Sequence, residues 1–286
     1  MNIAVFADIH GRIALCFKLC TRWEKETGQK LDLILQAGDL GVFPDMARLD
    51  KATIRFAQKD PTELGFLHDF LHERPEIASL LSQTTCDMIF VRGNHEDHLW
   101  LDALERRARA PIFPVDTHQR LYCLKSGIPY TFSRGEETIT LLGIGRIGPS
   151  VRVKQARPIY IQPYELERLY QLEDVSPDVL LTHDSARGDI FPESGIEEIR
   201  MILDRYQPAY HFFGHYGGPC RQTIDSNGKT IACKLADLEW DRTDRGKVIE
   251  SGAMGLLRWK NKDEHTFEII DQPWLKEYNA FTWQHL

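Results

Sequence analysis

Apolar residues along this chain fall into short blocks of two kinds. One kind is a run of four to six apolar residues, rich in β-branched and aromatic types and bounded by Gly, Asp or Asn. The other spaces its apolar residues three and four apart. Blocks of the first kind read NIAVFADIHG, LDLILQAGDLG, MIFVRGNHED, DVLLTHDS and AYHFFGHYG, and they predict strands. Blocks of the second kind predict helices between them. Ile13 to Glu26 places Leu15, Leu19 and Trp23 on one face, with Gly28 as C-cap. Asp97 to Ala108 ends in basic residues that suit the negative end of a helix dipole. Pro163 opens a helix through Leu172, and Ile196 to Tyr206 forms another.

Residues 42–85 are longer and more polar than one crossover needs. They predict a helical insertion beside the strand ends, including a helix from Thr62 to Leu81 with Thr62 as N-cap and a break at Pro75. Between 120 and 160 the runs RLYCL, YTFS, TITLLGI and VRV predict a second sheet. After 229, TIACKL, KVIES, MGLLRW and HTFEII predict closing strands, followed by an aromatic tail with Trp274, Tyr278, Phe281 and Trp283. Strands at both ends favour two packed sheets over one doubly wound sheet. The expected fold is an α/β, four-layer α/β/β/α sandwich with two mixed β-sheets, in one domain spanning 1–286 with the insertion at 42–85 and closing strands plus tail at 229–286.

The five strand runs each end in a metal-ligating type. In order they deliver Asp8 and His10, Asp39, Asn94 and His95, His183, and His215. Ligands gather at the carboxyl ends of strands in open α/β sheets. Carboxylate, imidazole and one carboxamide suit two hard-to-borderline divalent ions rather than a thiolate zinc site. Taken singly, Asp8 reads as a turn or cap residue, and His183 or His215 as a hydrogen-bonded histidine. Five such endings together predict metal-assisted hydrolysis.

Composition narrows the partners. With 286 residues, 42% apolar, the chain can build an ordinary core. A net charge of −7 and a pI near 5.9 give no basic footprint for nucleic acid, although bound cations would offset that locally. There is no apolar stretch of the roughly 20 residues a membrane span needs, and no signal-like leader. Six cysteines without a C-x-x-C predict a reduced, cytoplasmic protein, with Cys16 and Cys20 as buried apolar residues. Gly143 to Gly148 matches G-x-G-x-x-G but is followed by Pro149 rather than a helix, so it predicts a Gly-rich loop and not a dinucleotide cradle. His68 and His72, and the Arg106, Arg107 and Arg109 run, predict solvated helix faces. His98 is placed where it could face the cleft.

Asp8-Ile9-His10, Gly38-Asp39, Gly93-Asn94-His95-Glu96, His183 and Gly214-His215 resemble the ordered blocks of the calcineurin-like metallophosphoesterase superfamily, over residues 3 to about 217. The resemblance implies a dinuclear site. One ion would be held by Asp8 and His10, the other by Asn94, His183 and His215, with Asp39 bridging both. It further implies attack by metal-bound hydroxide, His95 as the group that stabilises or protonates the leaving oxygen, and Arg92 as a phosphate-holding fork. Manganese, iron or zinc would serve as the ion.

Two departures matter. The family's G-H-x-H ends in a second histidine, and here that position is Gly217. The stretch after Asp39 lacks the D-R-G of the phosphoprotein phosphatases, so the Asp that orients their catalytic histidine has no counterpart there. Asp45 and Glu96 are the candidates for that task. A looser likeness to RNA lariat debranching enzymes rests on the long insertion, Gly143 to Gly148, Pro158-Ile159-Tyr160 and the stretch 177–184. The expected function is hydrolysis of a phosphate mono- or diester in a small molecule or nucleotide. A lariat-type nuclease acting on nucleic acid, a phosphoprotein phosphatase and a catalytically inactive binding module are the alternatives.

Overall fold

The computed structural model describes residues 1–149, 157–240 and 248–285. The VRV run expected as a strand at 151–153 lies outside them. Alternation along the strands determines the layers. In β1 (Asn2–Phe6) the side chains of Ile3 and Val5 enter one core, and those of Ala4 and Phe6 another.

The first sheet has seven strands. Four are parallel: β1, β2 (Leu33–Gln36), β3 (Asp87–Phe90) and β5 (Leu121–Leu124). Beside β1 lie antiparallel β12 (Gly255–Asn261) and β13 (Glu264–Ile269); beside β5 lies antiparallel β4 (Ile112–Pro114). The second sheet has six strands and repeats this plan. Parallel β7 (Glu137–Ile144), β8 (Val179–Thr182), β9 (Tyr210–Phe213) and β11 (Ile231–Lys234) are flanked by antiparallel β6 (Tyr130–Arg134) and β10 (Arg221–Ile224).

The two sheets face each other through Ile3, Val5, Leu35, Ile89, Leu141, Leu181 and Phe212, all buried. On the outer face of the first sheet pack α1 (Ile13–Thr27), α3 (Pro75–Leu81) and α4 (His98–Arg107), with Phe6, Ile34 and Phe90 beneath them. On the outer face of the second pack α5 (Pro163–Tyr170) and α6 (Glu197–Tyr206), over Leu142, Ile144 and Leu180. This is the expected α/β/β/α sandwich with two mixed sheets.

Local expectations hold in part. Gly28 caps α1 in the left-handed region, at φ 69°, and its N–H returns to Glu24 O. The long helix expected from Thr62 to Leu81 is instead three pieces: a 3-10 turn at Pro61–Leu64, a π turn at Phe66–Phe70, and α3. Asp60, not Thr62, is the cap, accepting from Thr62 N at 3.0 Å, and Pro75 begins a new helix instead of bending an old one. RLYCL does not join the second sheet. Its Leu121 and Cys123 match Met88 and Phe90 on the helix-facing side, so β5 extends the first sheet after the α4 crossover. Among the described residues KVIES gives isolated pairings, Trp240 with Ile249 and Val248 with Asn279. Trp274, Tyr278 and Trp283 of the tail are buried in the core around α1, whereas Phe281 is exposed.

The six cysteines are free, five of them buried. Among the described residues no helix is long and apolar enough to cross a membrane. Leu181 lies at the centre of the inter-sheet core. Leu181→Ala is expected to lower the free energy of unfolding by about 2–5 kcal/mol, read from urea titration of circular dichroism.

Candidate metal centre

The five expected strands all belong to the parallel sets: β1, β2 and β3 in one sheet, β8 and β9 in the other. Their carboxyl ends open at the same end of the sandwich, and the loops there are tied together. Asp8 N donates to Gly38 O at 3.1 Å, His10 N to Asp39 O at 2.9 Å, and Gly214 N to His183 O at 3.1 Å. Asp8, His10, Asp39 and His215 all lie in the left-handed region, at φ 47°, 41°, 56° and 72°. Asp and His are among the few side chains that tolerate this region, and such strain collects at functional sites.

Ligand atoms of Asp8, Asp39 and His183 lie within 4.8 Å of one another, and all three residues are buried. Asp39 Oδ1 accepts from Asn94 N at 2.7 Å and His95 N at 2.8 Å, and lies 3.4 Å from His183 Nε2. The Asp8 carboxylate accepts from His215 N at 3.0 Å. His183 gives Nδ1–H to Ala37 O at 2.9 Å, which turns Nε2 inward, 3.2 Å from Asn94 Oδ1. The ring of His215 has its centre 4.9 Å from that of His183, and the ring of His10 has its centre 5.6 Å from that of His95. Two glycines make the approach possible. A Cβ on Gly93 would collide with the Asp39 carboxylate, and one on Gly214 with that of Asp8.

The donors suit divalent cations. Burial holds His10 down at about 4, and burial with the neighbouring His183 does the same for His215, so both rings keep a free lone pair. Burial pushes the Asp8 carboxyl well up. Burial would lower His183 too, but the Asp39 carboxylate outweighs it and raises His183 to about 10. A proton thus sits where positive charge is demanded, and a metal ion meets that demand.

Behind the ligands, Glu96 joins two of the loops. Oε1 accepts from Leu40 N and Oε2 from Gly93 N, both at 2.8 Å. It therefore does not orient His95, and neither does Asp45, which caps the 3-10 turn at Met46–Arg48. The partner of His95 is Asp50, whose Oδ2 lies 2.6 Å from His95 Nδ1. Asp50 also accepts from Thr53 N at 2.7 Å as the N-cap of α2 (Lys51–Ala57), so the start of that helix holds it in place. The only trace in the sequence is an Asp-x-x-Thr cap, 45 residues from the histidine it serves.

Arg92 is a correction. Its side chain is 3% exposed, and its guanidinium is engaged by Asp102 and by Glu105 at 2.5 Å. Asp102 also pairs with Arg146 at 2.6 Å, and Glu105 with Arg168 at 2.7 Å. Arg92 therefore anchors α4 and has no free fork for phosphate. His98 is buried beside Arg92 and Arg146, whose charges and burial hold it well below its ordinary value. His68, His72, Arg106, Arg107 and Arg109 are exposed, as expected.

Gly93→Ala pushes the Asp39 carboxylate aside. It is expected to lower kcat/KM at least about 100-fold while leaving the far-ultraviolet circular dichroism unchanged.

Residues 1–218 match the profile of the family described as calcineurin-like phosphoesterase. Comparison with curated proteins gives no match. Among solved structures, TT1561 of Thermus thermophilus aligns at 14% identity with a TM-score of 0.52, covering 94% of this chain and 98% of that one. This likeness shows the fold. A phosphatase from Mycoplasma pneumoniae aligns at 12% identity with a TM-score of 0.46, over 99% of this chain and 98% of its own. With three quarters of its length matching the profile and its acidic and imidazole donors gathered at the strand ends, the chain belongs to the calcineurin-like phosphoesterase family and is a metallophosphoesterase, a hydrolase of phosphate esters.

Proposed function

We propose that the protein hydrolyses a phosphate mono- or diester of a small molecule or nucleotide at a dinuclear centre. The observation that carries this reading is the buried trio of Asp8, Asp39 and His183 at the meeting of both sheets. Asp8 and His10 would hold one ion, Asn94, His183 and His215 the other, with Asp39 shared; manganese, iron and zinc all suit these donors. When bound, two such ions neutralise phosphate charge and lower the pKa of water.

The chain's own groups do the rest. Asp39 keeps its charge because His183 and His95 outweigh its burial and hold its pKa well down. His95 is 26% exposed at its side chain, and Asp50 fixes its Nδ1, so Nε2 is the nitrogen left to face substrate. Burial lowers His95, but Asp39 and the bond to Asp50 outweigh it and raise it from an ordinary 6.5 to about 9. The bond to Asp50 thus favours a proton on His95, which His95 can give to the leaving oxygen. The net charge of −7 favours a small ester over a nucleic-acid backbone.

Protein reconstituted with manganese, iron(II) or zinc should hydrolyse bis-p-nitrophenyl phosphate or p-nitrophenyl phosphate, and Asp39→Asn should abolish the activity. Turnover of neither ester with two ions bound would mean a selective substrate; failure to bind two ions would refute the dinuclear reading. His95→Asn should lower kcat by about 10²–10⁴ on an alkyl ester, whose leaving oxygen needs a proton, and far less on a p-nitrophenyl ester.

The sign of the pH dependence follows from the raised pKa. General-acid activity is present below it and is lost as pH rises through about 9. Asp50→Asn removes part of what raises it, so the alkaline limb of kcat against pH should move towards neutrality. An unmoved limb would exclude Asp50 from the role.

A further inference from the structure

Position 217 is glycine where the family's block carries its second histidine, and a Cβ built there meets nothing within 4 Å. The backbone keeps a left-handed turn, φ 57°, close to that of His215 at 72°. The side chain that would reach the first ion is thus missing from an otherwise intact loop.

The chain that follows β11 passes beside this gap. β11 lies parallel to β9, so both open at the same end of the sheet. Beyond it the backbone crosses from one sheet to the other. Leu235 N donates to Phe213 O at 3.0 Å in the second sheet; Asp237 then pairs with Ala7, and Leu238 N donates to Asp8 O at 3.2 Å in the first. Asp237 is therefore placed next to Asp8 by backbone bonds on both sides. Its Oδ1 is buried and accepts no hydrogen bond among the described residues.

A buried carboxylate oxygen in the field of other carboxylates, Glu239, Glu250 and Asp39 with Asp8 beside them, is costly unless a cation meets it. Among the described residues Lys234 is the nearby cation, but it does not take up this oxygen. Its ammonium is engaged by the carbonyls of Gly217, Gly218 at 2.6 Å and Pro219 at 3.1 Å, which pins the loop of the missing histidine.

We propose that Asp237 supplies the ligand that Gly217 cannot, to the ion held by Asp8 and His10. The inference rests on the dinuclear reading above. It gives that ion a set of Asp8, His10, Asp39 and Asp237, three carboxylates and one imidazole, which favours a hard ion such as manganese over zinc.

The test uses the full chain stripped of metal and titrated with manganese(II), bound metal being counted by mass spectrometry and affinity taken from calorimetry. The wild type should bind two ions. Asp237→Asn should keep one and bind the second at least about tenfold more weakly. Gly217→His added to Asp237→Asn should restore the second ion, since a Cβ at 217 meets nothing within 4 Å and histidine is among the residues that tolerate the left-handed backbone there. In EDTA, Asp237→Asn should unfold at the same or a higher temperature than the wild type, because a charge that repels Asp8 and Asp39 is gone; in manganese it should gain less stability than the wild type does. Two ions at unchanged affinity in Asp237→Asn would overturn the inference and leave the dinuclear reading standing. So would a lower unfolding temperature in EDTA with no rescue by Gly217→His, which would mark Asp237 as structural. Fewer than two ions in the wild type would overturn both.

Discussion

Two carboxylates, Asp8 and Asp39, are buried where the ends of two sheets meet, and the rest of the site is organised around answering their charge. Removing an ion from water costs several kcal/mol even after the protein relaxes. Asp39 receives two backbone N–H donors, from Asn94 and His95, and Asp8 receives that of His215. Those donors come from loops of other strands, so each carboxylate also fastens one strand end to another. The glycines at 93 and 214 follow from the same demand, because any side chain there would occupy the space of a carboxylate oxygen. Peptide dipoles do not complete the neutralisation, and the remaining deficit selects for cations.

The layered scaffold makes that burial tolerable. Both sheets have parallel centres, so four strand ends of each face the same way without a hairpin intervening. The inter-sheet core is apolar, which keeps water from the base of the site. The ion network of Arg92, Arg146 and Arg168 with Asp102, Glu105 and Glu165 fixes α4 to α5 at the same rim. It is a largely buried set of paired charges whose effect is positional.

Much of this was legible in the sequence because the strands are short and their exits are chemically marked. Period-two alternation in NIAVF separates two cores, and Asp8, Asp39 and His183 follow directly from where the alternation stops. Pairings that depend on tertiary choice were not legible. RLYCL has the same local pattern in either sheet, and only the match of Leu121 and Cys123 to Met88 and Phe90 assigns it. Arg92 stands in a family string, yet two carboxylates on the helix that follows capture its guanidinium, and no spacing rule reveals that competition. Asp50 was invisible for a different reason. Its partner is 45 residues away, across a segment whose short helices are set by the capping residues Asp45, Asp50 and Asp60 rather than by a hydrophobic stripe.

The left-handed turn at Gly217 sets what the loop can carry. Its φ of 57° is close to the 72° of His215, and a Cβ there meets open space, so the cost of a side chain at 217 is backbone strain and not collision. Glycine removes that strain at one of the two positions, which leaves His215 as the strained side-chain-bearing residue of the loop, held by its own N–H bond to Asp8.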